Sequence, residues 1–219
     1  MIQYILSLIV SQVLAYIKDS SADATPDEVL AGNIGLSSIL GNSGNVSYMN
    51  DKVVVSVVNI MEEATMKNGT PYRPASLNPE VENPPVYVNL FLLFTANYQA
   101  LDADSYNKGL TRLSQVVEFF QGKSSITIQN SPMGNLLPEA INTVNPVSPE
   151  LQDICINMEM VSMTFEQINY LWGSLGGKQL PFVLYKAHVI PIKRTNLLGR
   201  GSFIQDIQSA SLHFLPSAS

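Results

Sequence analysis

Cysteine, histidine and charge are all scarce in this chain. Its one cysteine, Cys155, leaves no partner for an internal disulfide, and two histidines, His188 and His213, add too few soft ligands for zinc, copper or iron–sulfur chemistry. No metal and no cofactor are expected, and a reducing cytoplasm fits. Charged residues make up only 14% of the 219 positions, against roughly a quarter in an average soluble domain. So much neutral surface is best explained if neighbouring subunits cover part of it, which points to an oligomer. Basic residues number 12 against 18 acidic ones, for a net charge of -6. The cationic footprint of a phosphate-binding surface is absent, so nucleic acid is excluded as a partner. No apolar run approaches the roughly 18 residues that would span a bilayer. Met1 to Ile17 is apolar, but it has neither a preceding Lys or Arg nor a clean cleavage site, and so reads as a packing helix rather than a signal.

Motifs for chemistry are equally sparse. Gly173-Ser174-Leu175-Gly176-Gly177 misses the nucleophile elbow G-x-S-x-G by position. Gly122-Lys123-Ser124 ends like a phosphate loop, but Val117 stands where the leading glycine must be. Asp102 and Asp104 open like a calcium loop, yet Tyr106, Asn107 and Leu113 occupy positions needing a ligand, a sharp-turn glycine and a bidentate acid. Capping the following helix suits those aspartates better. Neither histidine forms an i,i+3 or i,i+4 metal pair, and the adjacent Glu62 and Glu63 on a strand must face opposite ways. Met158, Met160 and Met163 suit core filling more than a ligand groove. The missing parts weigh against an enzyme.

What is present is a pattern of elements. In Met1 to Ile17, Gln3, Ser7 and Ser11 recur on one helical face while Ile2, Ile5, Leu6, Ile9, Val13 and Ile17 form another. Glu28 to Ile34 predicts a short strand, and the Gly/Ser/Asn-rich stretch Gly35 to Asn50 a flexible loop. Lys52 to Met66 reads as a long central strand, its run Val53 to Val58 covered on both sides. Five prolines between Asn68 and Pro85 make that stretch a surface connection or hairpin tip. Val86 to Ala96 resumes a buried strand. The spacing of Leu110, Leu113, Val116, Val117 and Phe120 predicts a helix over Asp104 to Phe120, with Gly122 just beyond it.

Ser124 to Gln129 alternates as a strand, and Asn130 to Val147 is turn-rich. From Ile154 to Val161 the period is two, with Cys155, Asn157 and Glu159 on the wetter face. Thr164 should cap a helix over Phe165 to Gly173, with Trp172 anchoring it and Gly176 or Gly177 in a left-handed conformation beyond its end. Pro181 to Ile192 supplies the last strand. The expectation is an α/β chain of the α+β type: a mixed, mostly antiparallel sheet packed by two to three helices, forming one domain over residues 1–193. Residues 194–219 form an extension or arm.

Three stretches together carry a resemblance. They are Val53-Val-Val-Ser-Val-Val-Asn-Ile-Met-Glu-Glu63 followed by Asn68; Pro85-Val-Tyr-Val-Asn-Leu-Phe-Leu-Leu-Phe94 running through Tyr98 and Leu101 to Phe119-Phe-Gln-Gly-Lys123; and Ile168-Asn-Tyr-Leu-Trp-Gly-Ser-Leu-Gly-Gly-Lys178 with Pro181 and Leu184-Tyr-Lys186. In that order the chain resembles the cap, or tail terminator, proteins of extracellular contractile injection systems, phage-tail-like particles typified by the antifeeding prophage and the virulence cassettes. The resemblance implies a tail-terminator-like fold and a non-enzymatic role as a hexameric ring. That ring would sit on the last ring of the inner tube protein, stop its growth and hold the final layer of sheath protein. It also implies assembly in the cytoplasm and incorporation into the particle.

Outside the resemblance, the segment after Lys193 carries Phe203, Ile204, Ile207, Leu212, Phe214 and Leu215, more apolar surface than a frayed tail needs. Ser209 to Leu215 alternates like a strand that could join an exposed sheet edge, so these residues are candidate contacts with a neighbour, a sheath subunit first of all. A last strand folding back on its own sheet is the alternative. Other functions stay open: a phage neck or tail-completion protein, weakened by the acidic balance; a small-molecule hydrolase, which would need a concave pocket around a paired His188; and a lectin-like module, weakened by the lack of a secretion signal.

Overall fold

A computed structural model describes residues 1–36, 47–66, 72–73, 80–81, 85–98, 103–127, 154–192 and 199–200. Three helices, α1 (Ile2–Ser20), α2 (Ala103–Gly122) and α3 (Phe165–Ser174), pack on a sheet built from β1 (Val29–Ala31), β2 (Val53–Glu62), β5 (Val86–Ala96), β6 (Ser125–Thr127), β7 (Cys155–Met160) and β8 (Phe182–Ile192). Its strand order is β1-β2-β5-β8-β7-β6. Only β1 and β2 are parallel, and every other neighbouring pair is antiparallel. Three two-residue strands, β3 (Tyr72–Arg73), β4 (Glu80–Val81) and β9 (Gly199–Arg200), form a second sheet in the order β3-β4-β9. The fold class is the expected mixed α+β.

Strand periodicity divides the core between the two faces. Val53 and Val55 of β2, Leu90, Leu92 and Phe94 of β5, and Tyr185 and Ala187 of β8 are buried on the side of α1 and α2. An aromatic group holds α2 there: the Phe120 ring lies 5.5 Å from Phe94 and 4.5 Å from Tyr185. The intervening residues Val54, Leu93 and Leu184 face the other way and meet Trp172 of α3. Helix α2 comes very close to the end of β5 at Gly109, where an added Cβ would lie 3.0 Å from Tyr98 Cδ2 and 3.3 Å from Ala96 Cβ. Glycine is needed there for backbone approach.

Several expectations shift. Helix α1 buries Tyr4, Leu8 and Gln12 along with Ile5, Ile9, Val13 and Ile17, while Ile2 and Leu6 are only half-buried. The buried stripe is thus rotated towards Leu8, because α1 is pressed between the sheet and α2. Strand β2 is covered on both sides only over Val53 to Ser56, since α3 is too short to follow it, and Asn59 to Glu62 are exposed. A 3₁₀ turn, Ala64–Met66, ends the predicted Lys52 to Met66 strand early. Leu110, expected in the core, is exposed, while Arg112 lies on the buried stripe. Gly122 is the last residue of α2 rather than the residue beyond it. Met160 at the end of β7 is exposed where β8 alone flanks it. Most of Gly35 to Asn50 lies outside the described residues, but Met49 at its end is buried. Asn130 to Val147 also lies outside them.

Candidate partner-contact surface

A buried ion cluster holds the body in shape. Glu28 is fully buried at the start of β1, and Arg112 is 1% exposed. Glu28 accepts hydrogen bonds from Tyr98 Oη at 2.5 Å, Arg112 Nε at 2.9 Å, and the Thr25 N–H and hydroxyl at 2.9 and 2.7 Å. Arg112 also donates to Asp23 at 2.9 Å and to Gln115 at 3.1 Å. Lys108 lies 3.6 Å from Asp23 and 3.7 Å from Glu28. Burial alone pushes the Glu28 pKa up, but the bonds from Tyr98, Thr25 and Arg112 outweigh it and bring the carboxyl down to about 2. Burial and the neighbouring carboxylate push the Tyr98 phenol far up. With an acid ionised and a phenol neutral through the physiological range, the cluster suits clamping the loop before β1 to the end of β5 and the middle of α2, rather than proton transfer near pH 7.

Sequence reasoning did not find this cluster, although one signal was present. Gly109, Arg112, Leu113 and Val116 lie at i, i+3, i+4 and i+7, so the arginine interrupts an otherwise buried stripe. Gln12 on α1 gives the same signal, and its Oε1 accepts from Lys123 Nζ at 2.7 Å.

The surface has a polar part and an apolar part. On the face that α3 leaves open, His188 Nε2 lies 2.6 Å from Glu159, and Asn89 donates to Glu63 at 2.8 Å. Bonds from Thr65 and Asn89 lower the Glu63 pKa to about 2. Glu63 is therefore a tied acid just past the end of β2. Ser125 Oγ lies 2.9 Å from Cys155 Sγ at the outer end of this face. His188 lies outside the three described grooves of about 360, 500 and 590 Å³. Helix α3 projects the apolar part: Phe165 is 87% exposed and Tyr170 79%. Two large aromatics so exposed on one short helix give this face apolar surface of the kind enriched at protein contacts.

The structural anchors are well defined. Trp172 is buried and packs 5.6 Å from the Phe182 ring. Thr164 caps α3 in a capping box with Gln167, and Gly177 N–H donates to Trp172 O at 2.7 Å. Gly176 and Gly177 have φ of 108° and 79°, a region in which a side chain is strained. The contact candidates Phe203, Ile204, Ile207, Leu212, Phe214 and Leu215 lie outside the described residues. Of the extension only β9 is described, paired with β4 through Glu80↔Arg200 and Val81↔Gly199.

The model of a family described as Pvc16 N-terminal domain matches residues 5–206. No curated protein matches the sequence. Among solved structures, the chain is similar to the sheath/tube terminator of a PVC extracellular contractile injection system in its extended state, at 13% identity and a TM-score of 0.49, over 76% of this chain and 52% of that one. It is also similar to the tube-terminating cap of the anti-feeding prophage, at 12% identity and a TM-score of 0.48, over 73% of this chain and 49% of that one. It spans about half the length of each.

Proposed function

Because this chain belongs to the Pvc16 N-terminal domain family, we propose that it caps the end of the inner tube of a contractile injection particle, as a structural protein that ends tube growth and holds the last sheath layer. The observation that carries this reading is the extent of the family match. Residues 5–206 include all three stretches on which the resemblance to injection-system caps rests. The surface supports it. Termination needs a face that grips the tube end and another that offers no continuation, and low charge with exposed Phe165 and Tyr170 suits broad, weakly polar contact. We read the working form as a hexameric ring, assembled in the cytoplasm and carried in the particle, with the segment after β9 as a contact arm.

The test is to add the purified chain to inner tube protein as it polymerises and to measure tubes by negative-stain imaging. Tube length should fall as the ratio of chain to tube protein rises, and a tag on the chain should label one tube end. Unchanged lengths with unlabelled ends would overturn the reading.

A further inference from the structure

Strand β2 is ten residues long, but β1 beside it has only three and pairs only with Val53 to Val55. There the Val53 N–H donates to Glu28 O at 2.8 Å, and Val55 O accepts from the Gly32 N–H at 3.0 Å. The chain then turns away. The Ser56 hydroxyl closes the corner, donating to Gly32 O at 2.7 Å and accepting from the Ile34 N–H at 3.1 Å. From Val57 onward, no strand among the described residues lies on this side of β2.

The outward backbone groups follow from alternation along the ladder. Val57 has the parity of Val53 and Val55, and therefore faces the open side. Beyond the bulge between Val57 and Asn59, the Glu63 N–H donates to Tyr87 O at the start of β5, so Ile60 faces outward. Its N–H is held by the side chain of its own neighbour, Asn59 Oδ1, at 2.9 Å. Ile60 and Met61 are each 49% exposed. Natural edges are usually blunted by lysine, proline or a covering element. Among the described residues the bulge is the only such device along Val57 to Met61, and apolar walls stand on both sides of the edge. Leu6 of α1 lines one side and Leu171 of α3 with Leu175 just past its end the other, in a groove of about 500 Å³. A second groove, of about 360 Å³, continues from it past Val58 to Phe91 and Met163. The arrangement is a slot for an added strand.

We infer that this slot receives residues Ser209 to Leu215 of a second copy of the chain, so that each subunit donates a strand to the next. Ala210, Leu212 and Phe214 alternate with Ser209, Ser211, His213 and Leu215, which would set one apolar row towards the α3 groove and one mostly polar row away from it. The donor contains no acid, so it meets Glu62 and Glu63 at the slot's end without repulsion. Residues 201–208 between β9 and this strand can span roughly 26 Å when extended. A donor and an acceptor carried at different places on one chain make a head-to-tail contact, which closes into a ring when the rotation permits. This rests on the ring reading above and names the contact that would form the ring. It makes the arm's neighbour another cap subunit rather than sheath.

Cysteine pairing in the full chain tests it. In a Cys155→Ser background, Met61→Cys is combined in turn with Ser211→Cys, Leu212→Cys and His213→Cys. Disulfides should join two chains, with Ser211→Cys and His213→Cys behaving alike and Leu212→Cys differently. Ile60→Pro, which removes an outward N–H together with its exposed bond to Asn59 Oδ1 but no ladder bond to β5, should change the melting temperature little and lose the ring. Disulfides confined to single chains would overturn the exchange. So would a protein of ring mass that forms no cross-link, although the ring reading would stand. A chain that stays monomeric even on tube ends would remove both.

Discussion

At the residue scale, the side chains with the largest consequences are Glu28 and Arg112. Their pairing is buried, so removing one partner strands the other in a medium of low polarizability. Arg112→Ala should therefore cost about 3–5 kcal/mol, measured by denaturant unfolding, far more than loss of an exposed pair such as Lys52 with Asp27. Acid should act through the same residue. Glu28 has its pKa lowered from 4.5 to about 2 in the folded chain, so it contributes stability above the unfolded value that is lost as pH falls through the folded one. Bonds from Arg112 lower the Asp23 carboxyl too, in the same sense. The melting temperature should fall between about pH 4.5 and pH 2. In Glu28→Gln that fall should be smaller, starting from a lower plateau. An equally steep fall in the variant would place the acid sensitivity elsewhere.

At the element scale, α3 is short and mostly exposed, and it stays on the sheet through one large side chain and two well-formed ends. Trp172→Ala should cost about 3–5 kcal/mol, because the indole fills the space between Val54, Leu93 and Leu184. Thr164→Ala should cost about 1 kcal/mol through loss of the cap. Both are read by thermal or chemical unfolding, and equal losses would contradict the division between packing and capping. Helix α2 is instead limited by space. Gly109→Ala must force α2 away from Tyr98 and Ala96, and hydrogen exchange should rise along the first half of that helix.

At the scale of the whole molecule, the six-stranded sheet is closed over on the face of α1 and α2 and only partly covered on the face of α3. Among the described residues, one face of the sheet is therefore packed and the other keeps open surface. Deleting residues 201–219 keeps β9 and its pairing with β4, so the melting temperature should stay close to that of the full chain while tube-end assembly is lost. Calorimetry and negative-stain counts of capped ends measure the two effects separately. Unfolding of the truncated chain would make the segment part of the core.

Elements are legible in the chain wherever period and punctuation agree. Val86 to Ala96 emerges with both ends as read, and Thr164 and Gly177 bound α3 because caps and left-handed glycines act locally. The family, too, was legible, from ordered stretches that lie within the matched residues 5–206. Features that depend on residues far apart in the chain emerge only on folding. Glu28 and Arg112 read as an ordinary surface acid and base until β5, α2 and the loop before β1 converge on them. Likewise Val53 to Val58 reads as one continuous buried run. Its first four residues are core, and Val57 and Val58 are only half-buried at an edge that β1, ending at Ala31, does not follow. A strand's own residues carry its period, but its coverage depends on the lengths of its neighbours.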